Sequence, residues 1–255
     1  MGWSEEIEVD LWRTSTHSVN IGLKKQEEHM SKSRQFTKDT EFFGEAKKDG
    51  KTVAYLTYRE EKWKDDSTKG GLIIKLFSES IRWKASFEEL IAKELANSLA
   101  ANKPMPFFIM NSSNSKVLFS FEKVIRHASL GKDVYSLFVV DDEKDEIHIF
   151  RIEEDRLTLG KDWAIYNQSE NKIGEIDGSK FNIGGKYTIR LDKEQHDLPD
   201  ELENCLIAFA GANRFLEDIE KRIEEKLDQL KKEEMPLKVD SNEMALYRNP
   251  RMLRI

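Results

Sequence analysis

The sequence has 255 residues, a formal net charge of −7 and one cysteine, and 35% of its residues are charged. This acidity argues against general binding to nucleic acid, because phosphates bind to basic surfaces. One cysteine excludes a disulfide framework within the chain, and the first residues lack the basic and apolar regions of a secretory signal. These observations predict a cytoplasmic protein that does not bind nucleic acid.

The first 40 residues are predicted to form an N-terminal arm that precedes the main domain. Alternating apolar and acidic residues at 7–11 indicate one short strand in this arm. Residues 24–35 are almost entirely polar, which indicates an exposed loop. Residues 42–58 then predict a β-hairpin, because a Lys-Asp-Gly-Lys turn signal at 48–51 precedes a segment that alternates between apolar and polar residues.

One conventional helix is predicted to begin at Ser86. Ser86 and Glu89 have the spacing of a capping box, in which each side chain binds the backbone N–H of the other residue. Apolar residues follow at helical spacing until Pro104, and they are Phe87, Leu90, Ile91, Leu95 and Leu99. This pattern predicts a helix that packs one face on the core.

From Pro106 onward the sequence repeats a unit of strand, Asn or Asp, polar turn and strand. Three such units occupy residues 107–121, 137–151 and 163–176. Asn and Asp suit the start of a turn, because their side chains bind backbone N–H groups two residues further on. A further pair of short strands, 181–183 and 187–191, is joined through Gly184 and Gly185. The repetition predicts an antiparallel meander.

The segment Asn204–Leu216 carries no charged side chain between Cys205 and Ala212. A helix that is apolar on every side must be enclosed on every side, and this one is too short to cross a bilayer. A meander followed by such a helix predicts a sheet that closes into a barrel with the helix in its interior. The alternative is a helix that lies flat on a sheet. In the barrel Cys205 would be a small buried apolar residue.

The repeated units, especially 107–121 and 163–176, and the helix that follows them resemble the tubby-like superfamily. This superfamily includes the LURP-one-related proteins and the phospholipid scramblases. The resemblance covers roughly residues 41–216 and implies a closed antiparallel barrel around a hydrophobic C-terminal helix. The chain departs from the usual pattern at Asn114 and Glu170, which occupy turns where glycine is common. Tubby-like members bind phosphoinositides, and no dense basic cluster in this chain corresponds to that property.

Residues suited to catalysis or metal binding are present, but their spacing does not match known sites. The five histidines are scattered, and no sequence motif of a nucleophilic enzyme occurs. The acidic run Asp141–Glu146 lacks the glycine and the bidentate glutamate of a calcium loop, so it predicts a solvated hairpin turn. We therefore expect a protein that is not an enzyme and that binds no cofactor or metal.

Basic residues on the late strands and their turns form the first of two candidate binding surfaces. These residues are Lys172, Lys180, Lys186 and Arg190. Together they could meet the phosphates of an anionic membrane surface, as the tubby-like resemblance implies. The alternative interpretation is ordinary solvation of the barrel exterior. Peripheral phospholipid or phosphoinositide binding is accordingly the second functional hypothesis.

The second candidate surface is a helical extension and tail, residues 217–255. One helix over residues 200–234 would be roughly 50 Å long, so its second half is predicted to project beyond the barrel. Its apolar seam is formed by Leu216, Ile219, Ile223, Leu227 and Leu230. Basic and apolar residues of the tail predict a docking segment. The tail residues predicted to contact a protein are Tyr247, Arg248, Arg251, Met252 and Leu253.

These features make a non-enzymatic binding or scaffold protein the leading functional hypothesis. Its helix and tail would contact a protein partner or a second copy of the chain. Two alternatives stay open at this point: the seam packs against the N-terminal arm of the same chain, and the tail is a frayed terminus without function.

Overall fold

The computed structural model describes residues 2–12, 22–23, 35–65, 70–124, 132–142, 144–155, 162–178, 185–232, 241 and 243–244. Within these residues, twelve strands form one antiparallel sheet that closes on itself. Each strand pairs with its neighbours in sequence, and the first strand also pairs with the last. The strands are β1 (Glu5–Leu11), β2 (Thr40–Lys48), β3 (Lys51–Arg59), β4 (Ile73–Phe77), β5 (Trp83–Glu89), β6 (Phe107–Ser112), β7 (Phe119–Lys123), β8 (Val134–Asp141), β9 (Glu146–Asp155), β10 (Asp162–Asn167), β11 (Lys172–Gly178) and β12 (Lys186–Leu191).

A buried helix fills the interior of this barrel. The helices are α1 (Glu60–Trp63), α2 (Ile91–Ala101), α3 (Glu201–Ala212) and α4 (Leu216–Lys231). Every residue from Asn204 to Ala212 is buried, and α3 contacts strands β1, β4, β5, β8 and β12 on different sides of the barrel. The predicted fold class, a mostly β protein with a closed antiparallel barrel around a hydrophobic C-terminal helix, is therefore confirmed.

Aromatic side chains from the barrel wall hold α3 in place. The ring of Phe209 lies 4.6 Å from that of Phe121, 5.2 Å from that of Tyr135 and 5.1 Å from that of Trp163, measured between centroids. On another side of the helix, a Cβ atom added at Gly211 would lie only 2.7 Å from Cδ2 of Leu56. The glycine thus lets the wall approach the helix closely, which outweighs its weak helix propensity.

The barrel begins earlier in the chain than the sequence predicted. Strand β1 lies inside the predicted N-terminal arm, and it pairs with β12 on one side and β2 on the other. Its apolar residues Ile7, Val9 and Leu11 are buried in the core. The proposed boundary at residue 41 is thus wrong, because β1 closes the barrel. The predicted polar loop lies outside the described residues except for Gln35.

The predicted hairpins 42–58, 107–121, 137–151 and 163–176 are present, although Asn111, predicted to begin the turn of the first repeated unit, lies within β6. In the β2–β3 turn, Asp49 and Gly50 have φ angles of 52° and 73°, which suits an Asp-Gly hairpin. In the β10–β11 turn, Asn167 Oδ1 accepts the backbone N–H groups of Ser169 and Asn171 at 3.0 Å. Glu170 in that turn has a φ angle of 63°, which is the left-handed region that glycine adopts readily. The predicted strand 181–183 lies outside the described residues.

The helix predicted to begin at Ser86 begins later, at Ile91. Residues Trp83–Glu89 form β5, in which Ser86 lies opposite Lys75 on one side and Asn111 on the other. The Ser86 hydroxyl accepts a hydrogen bond from Trp83 Nε1 at 3.0 Å and does not cap a helix. Pairing with two neighbouring strands therefore outweighs the local capping signal.

The long C-terminal helix is broken into two, and its second half does not project from the barrel. The chain turns at residues 213–215, and Phe215 packs there against Phe43, Tyr58 and Trp63 with centroid distances of 5.0–5.6 Å. Helix α4 then contacts α2 and is bound by side chains at the ends of β5 and β7, through Arg222–Glu89 and Lys123–Glu220. Among the described residues, no helix combines the length and the apolar character that a membrane span requires.

Candidate functional site

The predicted basic surface is neutralised by carboxylates in the structure. Lys172 and Arg190 are brought together because both bind Glu175, at 2.8 Å and 3.0 Å respectively. Arg190 also lies 3.1 Å from Asp177 Oδ2 and 3.0 Å from Glu6 Oε2. These contacts offset the positive charge that would have to meet a lipid phosphate.

Lys186, the third of the predicted lipid-binding residues, lies apart from this pair. Its Nζ atom is 3.7 Å from Asp10 Oδ2 on the neighbouring strand β1. Lys180 lies outside the described residues. The lipid-binding hypothesis stays a prediction, and the paired charges of Lys172, Lys186 and Arg190 do not add to it.

The predicted protein-binding seam on α4 is part of the hydrophobic core. Leu216, Ile223 and Leu227 are buried in the same cluster as the residues of α3, and Leu230 packs against that cluster. The prediction of an exposed seam is therefore wrong, because these residues are buried and α4 contacts α2. The alternative of packing on the N-terminal arm stays untested, because residues 13–21 and 24–34 lie outside the described residues. The selected tail residues, Tyr247, Arg248, Arg251, Met252 and Leu253, lie outside the described residues.

Helix α4 is fastened to the barrel by buried charges. The carboxylate of Glu89, at the end of β5, is fully buried and binds Arg222 of α4, with Nη2 at 2.6 Å from Oε1. The other oxygen of Glu89 also contacts Arg222 and accepts the backbone N–H of Leu72 at 2.6 Å. The guanidinium of Arg222 lies 4.5 Å from the ring of Trp63, which suits a cation–π contact.

Two further ionisable residues complete this buried charge cluster. Glu94 of α2 is fully buried, and burial raises the pKa of its carboxyl group well above the usual value, with a further increase from the nearby Glu89. Lys226 of α4 is 3% exposed, and burial lowers the pKa of its ammonium group. Because these groups are closed off from solvent, we interpret the cluster as a fastening between α2, β5 and α4 and not as a reaction site.

Replacing Glu94 with glutamine is expected to change how stability depends on pH. The raised pKa means that the folded state holds a proton that the unfolded state releases at about pH 4.3. Stability from this group is therefore lost as pH rises from that value through the folded-state pKa. Glu94→Gln cannot ionise, so its stability relative to the natural chain should increase with pH over this window.

Urea unfolding at several pH values measures this difference. Because Lys226 and Arg222 are unchanged in both chains, the comparison isolates Glu94. The exposed Glu224 of α4 provides a matched control. Equal pH profiles for the natural chain and Glu94→Gln would contradict the buried, raised-pKa assignment.

The outer wall of the barrel exposes an apolar surface on the β8–β9 hairpin. Ile147 is 65% exposed and Ile149 is 49% exposed. The strand register places Val140 opposite Ile147 and Phe138 opposite Ile149. Opposite residues of an antiparallel pair share a face, so the half-buried Phe138 and Val140 lie beside Ile149 and Ile147, and Val140 also packs against the core cluster that contains Phe150. We call Phe138, Val140, Ile147 and Ile149 the β8–β9 face.

Two clefts adjoin this face near the start of α3. The first has a volume of about 310 Å³ and includes Val140 in its lining. The second has a volume of about 190 Å³ and is lined in part by Ile149, His148 and His196. Residues Asp197 and Leu198 line both clefts. The β8–β9 face thus continues into a recessed polar surface on both sides.

The first cleft is strongly acidic. Its lining contains five carboxylates and one ammonium group, that of Lys144. The Nζ atom of Lys144 lies 2.5 Å and 2.6 Å from the two carboxylate oxygens of Asp197 and 3.7 Å from Asp141. The acidic residues of the lining are Asp141, Asp142, Asp197, Asp200 and Glu201. The apolar face therefore has an acidic rim.

Ile147 and Ile149 were not predicted as binding residues, although the sequence carries a signal for their exposure. Strand β9 has apolar residues at 147, 149, 150 and 152, so the apolar positions change from one face to the other between 149 and 150. One of the two sets must then lie outside the barrel. The acidic turn 141–146 was correctly predicted as a hairpin turn, and it supplies part of the rim.

Comparison with known proteins found no matching family model, no matching curated protein and no matching solved structure. The barrel alone does not identify a superfamily. The resemblance to the tubby-like superfamily accordingly stays a prediction, and the function has to be argued from the surface of this chain.

Proposed function

We propose that this protein is a non-catalytic binding module that holds the β8–β9 face in place for a protein partner. The supporting observation is the exposure of Ile147 and Ile149, side by side on the outer wall. Full burial of an isoleucine side chain is worth roughly 1.5–3 kcal/mol, and these two, at 65% and 49% exposure, would each contribute about half of that before the costs of association are subtracted. Two adjacent isoleucines and their cross-strand neighbours could therefore anchor a partner.

The barrel makes this face rigid. Strands β8 and β9 are paired over eight residues, from Val134 opposite Glu153 to Asp141 opposite Glu146. Below the face, Leu137, Val139 and Phe150 belong to the core cluster around α3. A rigid surface loses little conformational entropy on binding, which favours affinity. On this proposal α3 stabilises the scaffold and the outer wall makes the contact.

Selection from a random peptide display library tests the proposal with the full chain as bait. We expect the natural chain to enrich peptides that bind it in solution. Changing both Ile147 and Ile149 to lysine should weaken their binding by at least about tenfold, because roughly 1.4 kcal/mol corresponds to a factor of ten. The variant Leu99→Lys is the matched control, since Leu99 is 49% exposed on α2.

Circular dichroism and thermal melting of both variants verify that the barrel is intact. Enrichment of no peptide would contradict the proposal. So would peptides that bind equally well to the double lysine variant and to the natural chain.

A further inference from the structure

We infer that the partner of the β8–β9 face is a protein segment that carries lysine or arginine beside apolar side chains. This inference rests on the proposed function and specifies the class of ligand. The apolar part of the segment would cover Ile147 and Ile149. Its basic part would enter the acidic cleft, which adjoins the face through Val140, the cross-strand partner of Ile147.

The charge of the cleft is the first argument for a basic segment. Two of its carboxylates are open to solvent, since the side chain of Asp197 is 72% exposed and that of Asp200 is 99% exposed. Lys144 neutralises part of this charge through Asp197. Lys193 lies 3.8 Å from Asp200, but it is bound more closely by Glu5 and Glu203. A net negative charge therefore remains along the rim.

Position is the second argument. A partner that covers Ile147 would also pass over Val140 and reach the acidic cleft. Carboxylates in a concave surface attract cationic side chains and accept charge-assisted hydrogen bonds from them. Apolar contact then supplies the main attraction, while the rim selects the charge of the partner.

The same rim disfavours other occupants. Anionic membranes and nucleic acids carry phosphates, which the carboxylates repel. A symmetric dimer through this face would use the same surface on both copies and would bring two acidic rims together. A cationic protein segment has neither problem.

Fluorescence anisotropy with two matched peptide pools tests the inference. Both pools carry the same fixed apolar positions in a twelve-residue peptide, and the other positions are lysine or arginine in one pool and aspartate or glutamate in the other. We expect the full chain to bind the basic pool at least about tenfold more tightly. Raising the salt concentration from about 0.05 M to about 0.5 M should weaken that binding severalfold, because exposed charges are screened.

Substitutions separate the rim from the face. Asp197→Asn with Asp200→Asn should weaken binding of the basic pool by about threefold or more. The control Asp218→Asn with Asp228→Asn removes two exposed carboxylates of α4, at the opposite end of β8, and should change nothing. Loss of binding in an Ile147→Ser, Ile149→Ser variant, which adds no charge beside the rim, would show that the pool occupies the face.

Each alternative outcome overturns the inference in a different way. If the acidic pool binds as tightly as the basic pool, and substitution of Ile147 and Ile149 abolishes that binding, the inference of a basic partner is wrong but the proposed function stands. Binding to neither pool disproves the inference, and the display selection then decides the function. Flotation with phosphatidylserine vesicles, or a dimer that the double lysine variant abolishes in sedimentation, would assign the face to a membrane or to a second copy.

Discussion

Replacing Leu206 with aspartate is expected to prevent the barrel from folding. Leu206 lies in the middle of α3, has no exposed surface and faces a core that surrounds it on all sides. Removal of a buried leucine side chain alone costs about 2–5 kcal/mol. An unpaired carboxylate in the core adds several kcal/mol more, whether it stays charged or takes up a proton. The sum is comparable to the roughly 5–15 kcal/mol that stabilises a typical domain.

Near-ultraviolet circular dichroism and thermal melting would measure this loss. The variant Leu206→Met keeps an apolar side chain of similar volume and should cost less than about 1.5 kcal/mol. Leu99→Asp makes the same substitution at a residue that is 49% exposed, so it should fold normally. A soluble Leu206→Asp chain with a cooperative melting transition would contradict the enclosed position of α3.

Removal of Arg222 is expected to have the second largest effect. Arg222→Met keeps the apolar stem of the side chain but removes the guanidinium that binds the fully buried carboxylate of Glu89. Breaking a buried ion pair from one side costs about 3–5 kcal/mol, because the remaining charge is not compensated.

Urea unfolding of three variants tests this account. Lys221→Met removes a charge on the same helix at a side chain that is 75% exposed, so it should change stability little. Glu89→Met together with Arg222→Met should recover part of the loss, because neither charge stays buried. Recovery should be incomplete, since Glu89 also accepts the backbone N–H of Leu72. Equal losses for Arg222→Met and Lys221→Met would contradict a fastening role for the cluster.

The barrel could be predicted because its hairpins are local. Each repeated unit contains both strands and the turn between them, as in Trp163–Ile176 with Asn167 at the turn. The apolar run of α3 is equally local, and enclosure on all sides follows from it. Such local signals predict pairing between strands that are neighbours in the sequence, but not pairing between strands that are far apart in it. Strand β1 was therefore assigned to an arm, although Ile7 pairs with Ile189.

The two errors in helix placement have tertiary causes. Ser86 and Glu89 have the spacing of a capping box, but β4 and β6 pair with the segment between them, and Glu89 is used by Arg222 instead. The break at residues 213–215 contains neither glycine nor proline. It follows from the packing of Phe215 against Phe43 and Trp63, which only the folded barrel brings together.

The β8–β9 face could be predicted only in part. The sequence shows the acidic turn, and it shows that the apolar residues of β9 lie on one face at 147 and 149 and on the other at 150 and 152. Which of these two faces points outward depends on the register with β8. The acidic rim combines the β8–β9 turn with residues 197–201. No sequence spacing relates these two segments, because they meet only through closure of the barrel around α3.

The order of the elements along the chain has a consequence for synthesis on the ribosome. Strand β12 and helix α3, which close and fill the barrel, are made after all the other strands. Until residues 186–212 have emerged, the inward-facing apolar residues of β1 to β11 have no central helix to cover them, and β1 lacks one of its two partners. The nascent chain therefore exposes apolar surface and unpaired strand edges until these residues have been made. Such surfaces are prone to aggregation, which is the situation in which chaperones are needed.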